Sequence, residues 1–292
     1  MEPAEARARI LASFPELSVD GVEALDGGRG SESFLVNGTL VFRFNLRPNG
    51  HNEVRKEARL LPDLQDAVSL PIPRPRYVAT DDRGREYSFV GHDLVPGQPI
   101  DAGGLAGPAL ERAAYALGHF LTTLHEFPVV AAQELIGEYD DDHPYAGTPW
   151  RLRDSWRVDV FPIFDAEERV AIEDRWDQFM GEMDLPHRLC LVHGGLSPEH
   201  ILVAPEGDDV SGVVNWWDAT VGDPALDFAM LPEPLRQRTL AAYEGEADGF
   251  EKRMEFYRWL APLRRVHWGL YGGGQGEVDA GMRALLPSIG LQ

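Results

Sequence analysis

Residues 191–229 read LVHGGLSPEHILVAPEGDDVSGVVNWWDATVGDPALDFA. This stretch is the part of the sequence that says most about the fold. Three short apolar runs, at 189–192, 201–203 and 210–214, are separated by a polar loop and by a turn at 205–209. Short apolar runs bounded by Gly, Pro and Asp are typical of strands. The pattern therefore predicts three strands with polar residues at their ends, where loops held by a rigid scaffold often carry chemistry.

The polar residues of this stretch occur in a distinctive order. His193-Gly194-Gly195 follows the first run, His200-Ile201-Leu202 begins the second, and Asn215-Trp216-Trp217-Asp218 follows the third. Gly222-Asp223-Pro224 and Asp227-Phe228-Ala229 complete the series. This order resembles the catalytic segment of the aminoglycoside and macrolide phosphotransferases, and a histidine at position 200 is more similar to the macrolide branch. The resemblance implies an α+β, protein-kinase-like fold with two lobes, a small antiparallel sheet and a larger, mostly helical part.

Three residues of the stretch have expected structural roles. The resemblance implies that His193 holds the loop by hydrogen bonds and that Asp227 braces the loop from a helix. Asp223-Pro224 has the pattern of a helix N-cap followed by the first helical residue.

Two positions depart from the family pattern. Gly195 stands where the family has its catalytic-base aspartate, and Asn215 where it has its main magnesium-binding aspartate. Phosphoryl transfer depends on Mg²⁺ and on a base near the attacking hydroxyl, and a positioned base contributes about 10²–10⁴-fold to the rate. Glycine offers no proton acceptor, and the neutral carbonyl of asparagine is a poor ligand for Mg²⁺. These residues predict a catalytically impaired protein, a pseudokinase, in which His200 and Asn215 form at most a weak magnesium site.

An alternative interpretation keeps the chain active. Glu199 precedes His200, and Asp218 follows Asn215 by three residues, so either carboxylate is a candidate to rebuild the catalytic site. Catalytic geometry tolerates little displacement, which counts against both. Under this interpretation the chain is an ATP- or GTP-dependent O-phosphotransferase of macrolides or aminoglycosides, and it confers antibiotic resistance.

The first part of the chain contains the residues expected to bind a nucleotide. A glycine-rich stretch at 27–33 contains Gly28, Gly30 and Ser31. The backbone N–H groups of such a turn can bind phosphate, although a plain hairpin turn has the same pattern.

A strand is predicted at 39–44 and a helix at 51–65. The resemblance implies that Arg43 on the strand grips the phosphates and that Glu57 on the helix orients Arg43. Exposed side chains are the alternative at both positions.

A break in the strand pattern at 95–99, Val-Pro-Gly-Gln-Pro, predicts a boundary between lobes. The expected lobes are a nucleotide-binding lobe at 1–96 and a helical lobe at 97–292 that contains the catalytic segment 189–229. In the family this boundary is the hinge that binds the nucleotide base, which places base contacts at His92, Asp93 and Leu94.

Most of the remaining chain has helical periodicity, and helices are predicted at 108–127, 166–183, 234–243, 251–271 and 277–286. An irregular acidic stretch is expected at 134–150. The spacing from Phe256 to Leu270 is typical of a core face. Trp259, Trp268 and Tyr271 belong either to this core or to an apolar ligand pocket.

The composition limits the partners of the chain. Its 27 Lys and Arg against 48 Asp and Glu give a net charge of −21 over 292 residues, which argues against nucleic acid and anionic membrane as partners. A cationic or macrolide-like small molecule or a protein partner fits this charge, as does simple solubility. A single cysteine, Cys190 in an apolar run, the lack of a signal-peptide pattern and the lack of a membrane-spanning run predict a cytoplasmic protein.

Overall fold

The computed structural model describes residues 1–25, 31–45, 51–80, 87–101, 103–137, 149–183, 188–204 and 209–291. The elements of its first part are α1 (Pro3–Ser13), β1 (Val22–Leu25), β2 (Ser31–Val36), β3 (Leu40–Asn45), α2 (His51–Leu64), β4 (Pro75–Thr80) and β5 (Tyr87–Asp93). The five strands form an antiparallel sheet with strand order β1-β2-β3-β5-β4.

The β2–β3 hairpin fixes the register of the sheet. Asn37 and Gly38 have φ values of 52° and 69°, the left-handed conformation that a tight hairpin requires at both central positions. Phe42 and Phe44 then pack in the cluster beneath α1. Because neighbouring side chains of a strand point to opposite faces, Arg43 lies on the other face, where it contacts α2.

The second part is mostly helical. Its helices are α3 (Gly107–His125), α4 (Val129–Ile136), α5 (Pro149–Asp159), α6 (Ala166–Glu182), α7 (Leu226–Ala229), α8 (Leu235–Ala242), α9 (Phe250–Trp268) and α10 (Gln275–Leu285). Its short strands are β6 (Gln98–Pro99), β7 (Cys190–Val192), β8 (Ile201–Val203), β9 (Val210–Val213) and β10 (Thr220–Gly222). They form two small sheets, β6-β8-β9 and β10-β7.

A large core fills the helical part and extends into α2 through Leu60, Leu61 and Leu64. Helix α2, which carries Glu57, therefore packs against the same core as the segment between β7 and β8. Among the described residues, no helix is both long enough and apolar enough to cross a membrane.

Some elements differ from the sequence-based expectation. The predicted break at 95–99 contains β6, which pairs with β8, and α4 and α5 enter the stretch 134–150 that was expected to be irregular. The α4 sequence VVAAQELI is too short and too uniformly apolar to show a clear helical period. The acidic segment 138–148 lies outside the described residues.

Candidate active site

The loop at 193–200, which the family resemblance implies to be the catalytic loop, begins where β7 ends, and His193 holds it by hydrogen bonds, as expected. The fully buried imidazole donates from Nε2 to the Val214 carbonyl at 3.0 Å, and its Nδ1 accepts from the Gly195 N–H at 3.4 Å. Burial lowers the pKa of His193 to about 4. A neutral imidazole with both nitrogens engaged in the loop is a structural group here.

Asp227 on α7 braces the loop from below, which confirms that expectation. Its carboxylate accepts from the N–H groups of His193 and Gly194 at 2.9 Å each. A further hydrogen bond of 3.1 Å joins it to Nε2 of His125, whose Nδ1 lies 2.9 Å from the Tyr243 hydroxyl. The loop backbone is thus tied to α3 and to the C-terminal end of α8 through an Asp–His–Tyr chain.

Asp223 makes the capping hydrogen bond that was expected, although the helix is assigned from a later residue than predicted. Helix α7 begins at Leu226, and Asp223 accepts from the Ala225 N–H at 2.9 Å. Its carboxylate also bonds Arg253 Nε and the Tyr257 hydroxyl at 3.2 and 3.1 Å. Because both partners lie on α9, Asp223 joins the catalytic segment to that helix.

Gly195 has a carboxylate beside it although it has no side chain. A Cβ added at Gly195 would lie 3.1 Å from Oδ2 of Asp218. Arg264 on α9 forms an ion pair with this carboxylate and donates to the Gly194 carbonyl at 3.3 Å. The Asp218 carboxylate thus occupies the space into which a side chain at position 195 would extend. Glu199 is exposed on the 3-10 turn 198–200 and is not brought to this position.

Asn215 lies at the centre of a second cluster. Arg43 donates to Glu57 Oε1 and to Asn215 Oδ1, both at 2.8 Å, so the expected Arg43–Glu57 pair is present. Asn215 Nδ2 lies 2.6 Å from His200 Nε2, and His200 Nδ1 lies 2.7 Å from the Gly195 carbonyl. This arrangement defines one tautomer: Nδ1–H donates to the carbonyl and Nε2 accepts from the amide. Burial lowers the pKa of His200, which favours this neutral form.

The side-chain atoms of this cluster are poor ligands for a hard divalent cation. Mg²⁺ prefers anionic oxygen ligands, whereas Asn215 is neutral and its oxygen accepts from a guanidinium. The His200 lone pair accepts from the asparagine amide. Across the part of the chain that the structure describes, no group of three His, Cys, Asp or Glu residues could hold a metal ion. The magnesium site that the family resemblance implies is therefore not formed by these residues.

Lys56 is a second buried cation at the site. Its ammonium donates to the carbonyls of Trp217 and Ala219 at 2.9 and 2.8 Å, and the Arg43 guanidinium lies 4.4 Å from the Trp217 ring centroid. Two cations of the first part therefore hold the segment that follows Asn215. Nothing in the sequence pattern marks Lys56, which reads as one charge among several on a solvated helix.

The residues predicted to bind the nucleotide lie in several environments. Gly28 and Gly30 lie outside the described residues, and Ser31 begins β2. His92 is buried, with Nδ1 2.8 Å from the Asp93 carbonyl, and burial lowers its pKa.

Asp93 itself is exposed and forms a 2.8 Å ion pair with Arg76. Leu94 donates its N–H to the Thr39 carbonyl at 2.8 Å. Because this N–H already donates a hydrogen bond within the sheet, a contact between Leu94 and the nucleotide base would have to involve another group of the residue.

The aromatic residues in and just after α9 were expected to lie either in the core or in a ligand pocket, and they differ in exposure. Trp259 is buried in the core, whereas Tyr271 is 53% exposed, and its pKa is raised by partial desolvation and a hydrogen bond to Asp159. Helix α9 ends at Trp268, and a turn at 269–273 that contains the non-helical Gly272 follows. Leu270, expected in the core, lies in this turn and is exposed.

An antiparallel sheet with a buried Arg–Glu pair, placed against a helix-braced His-Gly loop, is the arrangement of a kinase-like phosphotransferase. The chain belongs to the phosphotransferase enzyme family (APH), whose model matches residues 21–266. The predicted family resemblance and the two-lobed α+β fold are thereby confirmed.

Sequence similarity to named phosphotransferases and kinases supports this membership. Viomycin phosphotransferase of Streptomyces vinaceus is 26% identical over 203 residues, which cover 64% of this chain and 66% of that protein, just under two thirds of its length. The probable ketoamine kinase YniA of Escherichia coli K12 is 26% identical over 279 residues, covering 82% of this chain and 86% of that protein.

Solved structures show the same fold. The GDP and kanamycin complex of APH(2")-IIia superposes with a TM-score of 0.82 at 26% identity, covering 96% of this chain and 97% of that one. Macrolide 2'-phosphotransferase MphH from Brachybacterium faecium gives a TM-score of 0.72 at 24% identity, covering 97% and 98%.

Proposed function

We propose that the chain is a pseudokinase of this family: it binds ATP or GTP, a macrolide-like small molecule or a protein partner, alone or in combination, and its phosphoryl transfer is impaired. The observation that carries this proposal is the state of Asn215, whose amide is bonded at one end to Arg43 and at the other to His200. A neutral side chain, held by a hydrogen bond at each end of its amide, stands where an anionic metal ligand is needed.

Nucleotide binding is supported by the part of the site that is intact. The Arg43–Glu57 pair is buried and well formed, and a guanidinium binds phosphate oxygens in a bidentate manner. Two solved relatives at 25% identity or more are complexes with GDP. We assign nucleotide binding to a lobe at 1–96 and ligand binding to a lobe at 97–292, because β5 ends at Asp93 and β6 already pairs with the second part.

The ligand side of the proposal rests on the end of α9. The exposed ring of Tyr271 lies beside Asp159, and the chain as a whole carries a net charge of −21. An aromatic surface with a carboxylate suits a cationic or macrolide-like molecule.

A second candidate function has its own observation. Asp218 Oδ2 lies 3.1 Å from the position that a Cβ at residue 195 would take. The second candidate is therefore an active O-phosphotransferase in which Asp218 acts as the base. In that reaction the acceptor oxygen bonds to the γ-phosphorus, the bond from that phosphorus to the nucleoside diphosphate breaks, and Asp218 takes the hydroxyl proton. The ion pair with Arg264 opposes this role, since it stabilises the ionised carboxylate and weakens it as a base.

The experiment is to measure phosphate transfer from ATP and GTP to a panel of aminoglycosides and macrolides. Pseudokinase function predicts background rates for the wild type and a gain in Gly195→Asp/Asn215→Asp. Since an aspartate at 195 would meet the Asp218 carboxylate, the same double variant with Asp218→Asn removes the repulsion and serves as the matched comparison. Robust wild-type transfer would overturn the pseudokinase, and its loss in Asp218→Asn would support the second candidate.

A further inference from the structure

The family resemblance places Mg²⁺ at Asn215 and His200, and in this chain both side chains already make hydrogen bonds to other protein groups. Arg43 must donate, so it fixes the orientation of the Asn215 amide with Oδ1 toward the guanidinium and Nδ2 toward His200. His200 in turn donates to the Gly195 carbonyl. A cation that entered here would have to displace one of these bonds and would then stand next to a guanidinium, which repels it.

Protein side chains already supply positive charge in this region. Arg43 and Lys56 are buried cations, and Arg43 is paired with Glu57. Asp218 is paired with Arg264, while Asn215 and the described tautomer of His200 are neutral. An aspartate at 215 would add one negative charge beside Arg43. The asparagine therefore removes the charge that makes a divalent cation favourable at this position.

Arg43 also retains donors for a ligand. A guanidinium has five N–H groups, and the bonds to Glu57 and Asn215 use one on each terminal nitrogen. The side chain is held rigidly by these bonds and by the Trp217 ring, so little conformational entropy is lost when a phosphate binds.

We propose that the chain binds nucleoside di- and triphosphates without a divalent cation, with the Arg43 guanidinium fixed by Glu57 and Asn215 neutralising the phosphates in place of Mg²⁺. This inference rests on the proposed nucleotide binding and specifies its cation requirement. The ligand is the metal-free nucleotide, and Mg²⁺ adds nothing to its affinity.

Isothermal titration calorimetry with ADP, GDP, ATP and GTP tests the inference, in EDTA and in excess Mg²⁺. For the wild type we expect dissociation constants that agree within about twofold between the two conditions. Binding that appears only with Mg²⁺, or that is tenfold tighter with it, would overturn the inference while leaving nucleotide binding intact. Absence of binding in both conditions would instead remove the proposed nucleotide binding itself.

Two variants make the test specific. Asn215→Asp should create a cation requirement, with at least tenfold tighter binding in Mg²⁺ than in EDTA. Gln237→Glu makes the same amide-to-carboxylate change on the exposed surface of α8 and should leave the wild-type behaviour unchanged. Arg43→Met should weaken binding in EDTA by more than tenfold, and retention of wild-type affinity in this variant would overturn the assignment to Arg43.

Discussion

Replacing Lys56 with methionine should destabilise the protein, although the change keeps the length of the side chain. Lys56 is 7% exposed, and its ammonium donates to two backbone carbonyls of the segment after Asn215. Hydrogen bonds from a charged donor contribute about 1.5–3 kcal/mol each, and a buried polar group left without its partner costs about 1–3 kcal/mol. Removing the buried charge recovers part of its desolvation energy. The expected net loss in the free energy of unfolding is about 2–4 kcal/mol.

The assay is urea denaturation followed by tryptophan fluorescence. The chain has one other lysine, Lys252, whose side chain is half exposed and lies near Glu182 and Glu255. Surface ion pairs contribute about 0–1 kcal/mol, so Lys252→Met is the matched control with a small expected effect. Equal effects of the two substitutions would refute the conclusion that Lys56 fastens α2 to the catalytic segment.

Three further predictions concern the catalytic loop. Gly194 has φ of 78°, and a Cβ there would lie 2.0 Å from a backbone oxygen, so Gly194→Ala should lower the free energy of unfolding by about 2–4 kcal/mol. Gly195→Ala, which needs only a side-chain shift, should cost under about 1 kcal/mol, and similar urea midpoints for the two alanine variants would contradict this. Asp227→Asn should cost about 2–3 kcal/mol in the same assay, because a carboxylate that accepts two backbone N–H bonds is replaced by an amide with one acceptor oxygen; a loss below about 0.5 kcal/mol would deny the bracing role. For His193, the folded-state pKa of about 4 lies below the unfolded value of about 6.5. The unfolded state therefore binds the proton more readily, and stability should fall as pH decreases from about 6.5 to about 4, by up to about 1.4 kcal/mol per pH unit. A urea midpoint that stays constant over this range would contradict it.

The sequence predicted those features that depend on local pattern. The left-handed turn at Asn37-Gly38, the apolar alternation of Phe42 and Phe44 and the long apolar stripe of α3 each follow from neighbouring residues. The spacing of the central motif was specific enough to indicate the family. From these features alone the sheet, the helical part and the loop between β7 and β8 could be expected.

Contacts between distant residues were not predictable in the same way. Lys56 and Trp217 are 161 positions apart, and the charge of Lys56 has no feature that separates it from its solvated neighbours. Asp218 was only one of two candidate carboxylates, and the structure places it beside Gly195 while Glu199 is exposed. Helix α9 ends at Trp268, earlier than the predicted 271, because the chain turns at 269–273, and a regular 3.6-residue period does not indicate that turn.

The two departures from the family pattern are linked through one residue, His200. Its Nδ1–H donates to the carbonyl of Gly195, and its Nε2 accepts from the amide of Asn215. A carboxylate at 215 has no hydrogen to donate, so the neutral tautomer of His200 would face an anion with its lone pair. That repulsion is relieved if His200 gains a proton, if a cation enters between the two side chains, or if His200 changes tautomer and gives up its hydrogen bond to the Gly195 carbonyl. The asparagine is therefore matched to the neutral tautomer of His200 that also holds Gly195, and an aspartate restored at 215 would disturb that match.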